Sequence, residues 1–354
     1  MSPARHTEHS SGSARRALAL VLILASALCY GCMPSLSRPL YEAGMRPLLL
    51  SFHRFLFSLP FLYLLQAWNR RRAARGQGAL APAGEEEGQS LLPGQFQPVP
   101  GALASLRSHW SSWSGPARRS FCLMVLGYAL TPVLLFASYQ YLDGGMATVL
   151  HFFYPALVLL LHRFFTGTRC SRTQLLALAA SSLGVFASAL PLGTLRPSGM
   201  VLALFSALTF ALYIVLLDAQ RGFAMGVFLL SFWISAFSAL LVGLLCLALG
   251  QFQIALPPLL YLGSLAFSLL TSVLGLLCFQ LGLAVLGGSL AALLSCFEPL
   301  TAVILGVCIA GESLPLSHII GIVLILAALL LLCLAARKRA PNPVEEARLA
   351  SFKN

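Results

Sequence analysis

The sequence predicts an all-α membrane protein: ten transmembrane helices arranged as two inverted five-helix repeats. Three observations carry this reading. First, 58% of the 354 residues belong to the AVILMFWYC set and only 10% are charged, against about 25% charged in soluble domains. Mean hydropathy is +0.85. So little polar surface cannot cover a water-soluble globule, which excludes an ordinary cytosolic enzyme, a secreted disulfide scaffold and a disordered chain. Second, the chain holds ten apolar runs, each close to the roughly 20 residues that a spanning helix needs. Third, the chain matches itself at two fixed offsets.

Residues 1–16 contain Ser and His, and read as a disordered cytoplasmic tail. The first run, 17–36, follows Arg15-Arg16 and is Ala-rich like a signal peptide. The runs behind it favour an uncleaved first helix. The second run, 47–67, ends at Asn69-Arg70-Arg71-Arg72. Residues 68–119 follow, rich in Gly, Pro and Gln and carrying Glu85-Glu86-Glu87. They read as a flexible cytoplasmic insertion, a solvated tether, with a regulatory or partner-binding role as the alternative. Runs 120–141, 145–164 and 174–192 complete a first repeat over 17–192. Runs 197–217, 225–249, 257–283, 290–309 and 318–336 form a second over 197–336, and 337–354 is a basic cytoplasmic tail.

The chain carries 23 Lys and Arg against 11 Asp and Glu, a net charge of +12. Such a balance suits nucleic acid or the cytoplasmic flanks of membrane helices. Position decides between them. With the N-terminus inside, the outer loops hold only Arg38, Arg46 and Arg196, Arg54 lies within a run, and the other 19 basic residues are cytoplasmic. That is the positive-inside pattern. The expected partners are therefore a lipid bilayer and a small solute, not nucleic acid, and an even helix count puts both termini in the cytoplasm. Cys29 and Cys32 form a C-x-x-C within an apolar helical run. A redox or metal site needs polar surroundings and further ligands, so the cysteines read as small apolar fillers and no metal is expected.

At an offset of 144, Leu142-Asp143-Gly144-Gly145 falls on Leu286-Gly287-Gly288-Ser289, and Phe153-Tyr154-Pro155-Ala156 on Phe297-Glu298-Pro299-Leu300. At 180, Ser26-Ala27-Leu28 meets Ser206-Ala207-Leu208 and Leu50-Ser51-Phe52 meets Leu230-Ser231-Phe232. The offsets differ by 36, an excess that the long 68–119 segment supplies. Five helices per repeat is an odd number, so the second repeat is upside down relative to the first. Inverted repeats are a recurring transporter architecture, with the substrate site at their interface near the midplane.

These residues resemble the drug/metabolite transporter superfamily, specifically the EamA group of ten-helix bacterial permeases. Tyr30-Gly31 resembles the family's aromatic-Gly element, and Arg54, within Phe52-His53-Arg54-Phe55, sits where the family often has an arginine in helix two. Pro299, Gly311-Glu312 and Gly321 resemble its end-of-repeat pattern. The first repeat departs from it, with Thr168 opposite Glu312 and Ala177 opposite Gly321. The resemblance, which covers about 17–336, implies a multi-pass permease of the bacterial inner membrane. Such a permease moves a small metabolite, an amino acid or a drug-like solute, often outward.

An ionisable side chain in a bilayer costs several kcal/mol unless it faces a polar interior. The candidates for a substrate or ion pathway are therefore the few such residues inside the runs. Glu298 lies near mid-depth on a face of small residues, Ala291, Ser295 and Ala302. It suits proton coupling, a cationic substrate group, or a structural hydrogen bond between helices. Arg54 shares a face with Ser51 and Ser58, about 10 Å below the outer end at 1.5 Å per residue. It can bind a substrate carboxylate, pair with Glu298, or snorkel outward. His53 points to a different face. His151 shares a face with Thr148 and Tyr154 and reads as a satisfied interhelical contact or a titrating group. Tyr154 is the repeat-mate of Glu298, Gln280 is another polar residue in a run, and Trp233 suits core or cavity wall. Pro155 and Pro299 occupy matching positions. Each frees a backbone carbonyl, which suits a hinge or a packing kink. No Walker A, Rossmann or H-E-x-x-H pattern is present, so no cofactor is expected and the chain does not read as an enzyme. The alternatives are an integral-membrane enzyme acting on a lipid, and a scaffold or sensor working through 68–119.

Overall fold

The structure, a computed structural model, describes residues 4–75, 106–107, 110–142, 144–166, 171–188, 196–219, 226–295, 297–310 and parts of 316–331. Among the described residues every regular element is helical and none is a strand. In chain order the helices are α1 (Ala4–Gly31), α2 (Met33–Glu42), α3 (Pro47–Ala74), α4 (Gly115–Ser138), α5 (Gly144–His151), α6 (Tyr154–Thr166) and α7 (Arg172–Ser188). Then come α8 (Pro197–Ala219), α9 (Val227–Ala248), α10 (Pro258–Ser268), a π-helical segment (Leu269–Gly275), α11 (Leu276–Leu286), α12 (Gly288–Leu294) and α13 (Phe297–Ala310).

Among the described residues, six helical stretches are long and apolar enough to cross a membrane: Arg15–Glu42, Pro47–Arg72, Gly115–Ser138, Pro197–Ala219, Val227–Ala248 and Pro258–Leu286. They correspond to six of the ten apolar runs. Two other runs are interrupted. Run 145–164 breaks at Phe152-Phe153 between α5 and α6, and run 290–309 breaks after Leu294 between α12 and α13. Pro155 and Pro299 stand just beyond these breaks. Proline lacks an N–H and clashes with the preceding turn, so a helix running into it stops short. Run 174–192 is described only to Ser188, and run 318–336 only in pieces.

The boundaries of two flanking segments also differ from the sequence expectation. Helix α1 begins at Ala4, inside the tail expected to be disordered. Extending a helix from an existing one adds one hydrogen bond per residue without a new nucleus. Helix α3 continues to Ala74 and α4 starts at Gly115, so both ends of the expected 68–119 tether are helical. Ser114 caps α4, its Oγ accepting from the Ala117 N–H at 3.5 Å, with Pro116 in the first turn, where a missing N–H costs nothing. Residues 76–105 lie outside the described residues, as do 332–354.

The two halves of the sequence interleave. Helix α4 packs along α8, α3 along α9, and α1 along α11 and α13. Close approach is built into the α4–α8 contact: a Cβ on Gly127 would stand 2.8 Å from the Thr209 carbonyl. The interior is aromatic, with Phe55, Phe121, Phe136, Tyr154, Tyr213, Phe267 and Phe279 fully enclosed. Leu64, Phe164 and Leu247 point outward and are largely exposed, as befits helices whose solvent is lipid.

Candidate functional site

Arg54 sits seven residues into α3 and is almost wholly buried. Its Nε donates to Ser272 Oγ at 2.9 Å, and its backbone carbonyl accepts from Ser268 Oγ. Both serines belong to the spanning stretch Pro258–Leu286, at and just before the π-helical segment. The wider π turn re-aims side chains within an otherwise apolar helix, and such turns occur frequently at functional sites. The guanidinium lies 5.9 Å from the centre of the Tyr30 ring, a cation–π contact, and 4.0 Å from Met33 Sδ. Tyr128 stands beside both Arg54 and Ser272. The arginine is thus held inside the protein by α1, α4 and the π-helical segment, and does not snorkel to the surface.

Glu298 is buried in the first turn of α13. Helix α1 approaches at this point: a Cβ on Gly31 would stand 2.7 Å from the Glu298 carbonyl and 2.5 Å from Thr301 Cβ. Only glycine therefore lets Tyr30, the next residue, lie against Arg54 while α1 touches α13. Glu298 is within electrostatic reach of Arg54, Tyr30 and Tyr139. No direct Arg54–Glu298 ion pair occurs among the described residues. A buried arginine and a buried glutamic acid side chain thus lie near one group of tyrosines without a direct ion pair among the described residues.

A polar and aromatic path leads away from this centre. The Tyr128 and Tyr213 rings are 5.1 Å apart. Gln280 Nε2 donates to the Tyr213 hydroxyl at 3.0 Å, and its Oε1 accepts from Ser231 Oγ at 2.7 Å. Tyr213 stacks on Phe210, which meets both Tyr154 and His151. His151 Nδ1 lies 2.8 Å from Ser206 Oγ, whose own proton goes to the Ala203 carbonyl. The contact is an interhelical hydrogen bond, one of the two readings the sequence left for His151.

The other candidates stand apart. His53 turns to α10, stacking on Phe57 and meeting Ser264 Oγ at 3.4 Å. Trp233 packs among Phe232 and Phe237 in the α9 core. Pro155 is the second residue of α6 and Pro299 the third of α13, each directly after a helix break. The structure adds Tyr30, Tyr128, Tyr139, Tyr213 and Ser272 to this centre. Of these, sequence reasoning had named only Tyr30, and for another reason. A buried tyrosine in an apolar run was the available signal, because its hydroxyl needs a partner when enclosed. Cys29 and Cys32 are both free thiols near the end of α1.

At the far end of α6, His162 Nε2 lies 3.2 Å from Asp218 Oδ2 at the end of α8. A Cβ on Gly288, the first residue of α12, would stand 3.1 Å from the same nitrogen. This contact joins the two halves of the chain.

Comparison with known proteins gives a consistent result. No curated protein matches the chain. One solved structure, described only as a crystal structure of a protein, superposes with a TM-score of 0.65 over 90% of this chain and 99% of its own, at 15% identity. That likeness shows the fold alone. Residues 197–334 match the model of the EamA-like transporter family. That match, over part of the second half of the chain, is consistent with the drug/metabolite transporter superfamily that the motifs of both halves resemble.

Proposed function

We propose that the chain is a secondary transporter of ten helices in two inverted repeats. It moves a small metabolite, an amino acid or drug-like solute, outward across the bacterial inner membrane by alternating access. The observation that carries this reading is the centre itself. Arg54 and Glu298, one from each half of the sequence, are both buried near one cluster of tyrosines, and no direct ion pair joins them among the described residues. Ionisable side chains buried in a bilayer are expensive unless they face polar partners, so two of them near one another suit a site whose occupant adds to their polar partners. Arg54 binds an anionic group of the solute and Glu298 a cationic group or a proton. Tyr30, Tyr128 and Tyr213 supply ring faces and hydroxyls. Gln280 orients Tyr213. His151, Tyr154, His53 and Trp233 support the surrounding helices.

Alternating access needs helices that bend at the site, and Pro155 and Pro299 follow breaks at matching positions of the two halves. The His162–Asp218 contact closes one end between α6 and α8. The test is flux in reconstituted vesicles. Arg54→Gln and Glu298→Gln should each lower solute flux at least tenfold while leaving yield and Tm near the wild-type values. Wild-type flux in both variants would remove these residues from the mechanism.

A further inference from the structure

Helix α3 is longer than a bilayer core requires. Its 28 residues span about 42 Å at 1.5 Å per residue, against a hydrocarbon thickness of about 30 Å. Counted from Pro47, Trp68 lies about 32 Å along the helix, where acyl chains give way to headgroups. Beyond it come Arg71, Arg72 and Arg75. Trp68 and these three arginines line one surface recess of about 270 Å³. That is slightly below the roughly 300–1,000 Å³ of sites that enclose a whole drug-sized ligand, and it suits a headgroup.

Three features say what kind of group fits. The Arg72 guanidinium sits 5.5 Å from the Trp68 ring centre, which presents a planar donor fork at the wall of the recess. Helix α3 carries no acidic residue, so nothing on its own face opposes an anion. An exposed apolar stripe leads into the recess: Phe61, Leu64 and Trp68 are all exposed, at helical spacings of three and four that continue to Arg71, Arg72 and Arg75. A lipid-facing stripe that ends in a cationic recess at headgroup depth has the shape and polarity of a phospholipid, acyl chain below and phosphate above. A free solute anion would have no use for the stripe.

We propose that Trp68, Arg71, Arg72 and Arg75 form a binding site for one anionic phospholipid, its phosphate held by the arginine forks and its acyl chain lying along Phe61 and Leu64. The inference rests on the membrane placement of α3 and is independent of what the chain transports.

Native mass spectrometry of the full chain, released from detergent micelles, tests it. The additions are phosphatidylglycerol, phosphatidylcholine or inorganic phosphate. The wild type should retain phosphatidylglycerol at least fivefold more than phosphatidylcholine, and millimolar inorganic phosphate should not displace it. The triple variant Arg71→Gln, Arg72→Gln, Arg75→Gln should lose that preference. Arg75→Gln alone, an exposed change near the end of α3 that leaves its packed length intact, should lower retention about twofold. Equal retention of both lipids, unchanged retention in the variants, or displacement of the lipid by inorganic phosphate would each overturn the proposal.

Discussion

At the scale of single residues, the balance at Arg54 governs the site. Its Nε bond to Ser272 is a charge-assisted hydrogen bond in a dry environment, and such bonds contribute about 1.5–3 kcal/mol. Ser272→Ala should therefore lower Tm by a few degrees and, with Arg54 no longer held in place, also raise KM for flux roughly tenfold. A collapse of Tm with unchanged KM would make Ser272 structural only. His151 presents the opposite case. Its Nδ1 already has a partner in Ser206, so His151→Gln, which can still hydrogen-bond there, should keep flux and its pH profile. The sequence led readily to Arg54, Glu298 and His151, because ionisable side chains stand out in apolar runs. The hydroxyls of Tyr128 and Tyr213 in apolar runs were a signal left unused, and the two tyrosines come together where α4 and α8 pack tightly at Gly127. The sequence did put His53 and Arg54 on different faces of their helix, and the structure shows the contact each makes, with Ser264 and Ser272.

At the scale of elements, periodicity and length were enough to find the long uninterrupted helices. They were not enough at 145–164 and 290–309. There the hydrophobic pattern runs unbroken while the backbone stops before Pro155 and Pro299. The π-helical segment Leu269–Gly275 had no sequence signature at all. Ser268 and Ser272, beside and within it, both bond to Arg54 on α3. If the paired breaks act as hinges, then Pro299→Ala, which permits a continuous helix, should slow flux severalfold while leaving solute affinity within about twofold. Equal loss of affinity and rate would place Pro299 in the binding step instead. The insertion gives a second element-scale expectation. Its last part turns back on the bundle, with Trp113 packed 5.2 Å from Phe121 and Trp110 6.0 Å from Trp113. Deleting residues 76–105 while keeping Trp110 and Trp113 should leave flux near wild type. Loss of all flux would favour the scaffold or sensor reading.

At the scale of the whole molecule, composition alone pointed to a membrane protein, and the two sequence offsets to two repeats. In the structure α1, α3 and α4 each pack on helices from beyond residue 197. Arg54 and Glu298 come from different halves and come within electrostatic reach through this interleaving. No local stretch of sequence holds that information, which is why the site was legible as a list of residues and not as a place. The central claim is that this place carries a solute across the membrane. The most direct measurement is flux of a metabolite panel in vesicles reconstituted with the purified chain, with and without a pH gradient, beside vesicles carrying Glu298→Gln. The account predicts that at least one small solute moves with the wild type and is reduced at least tenfold with Glu298→Gln. Movement of no solute under any gradient, or equal movement in both sets of vesicles, would contradict it.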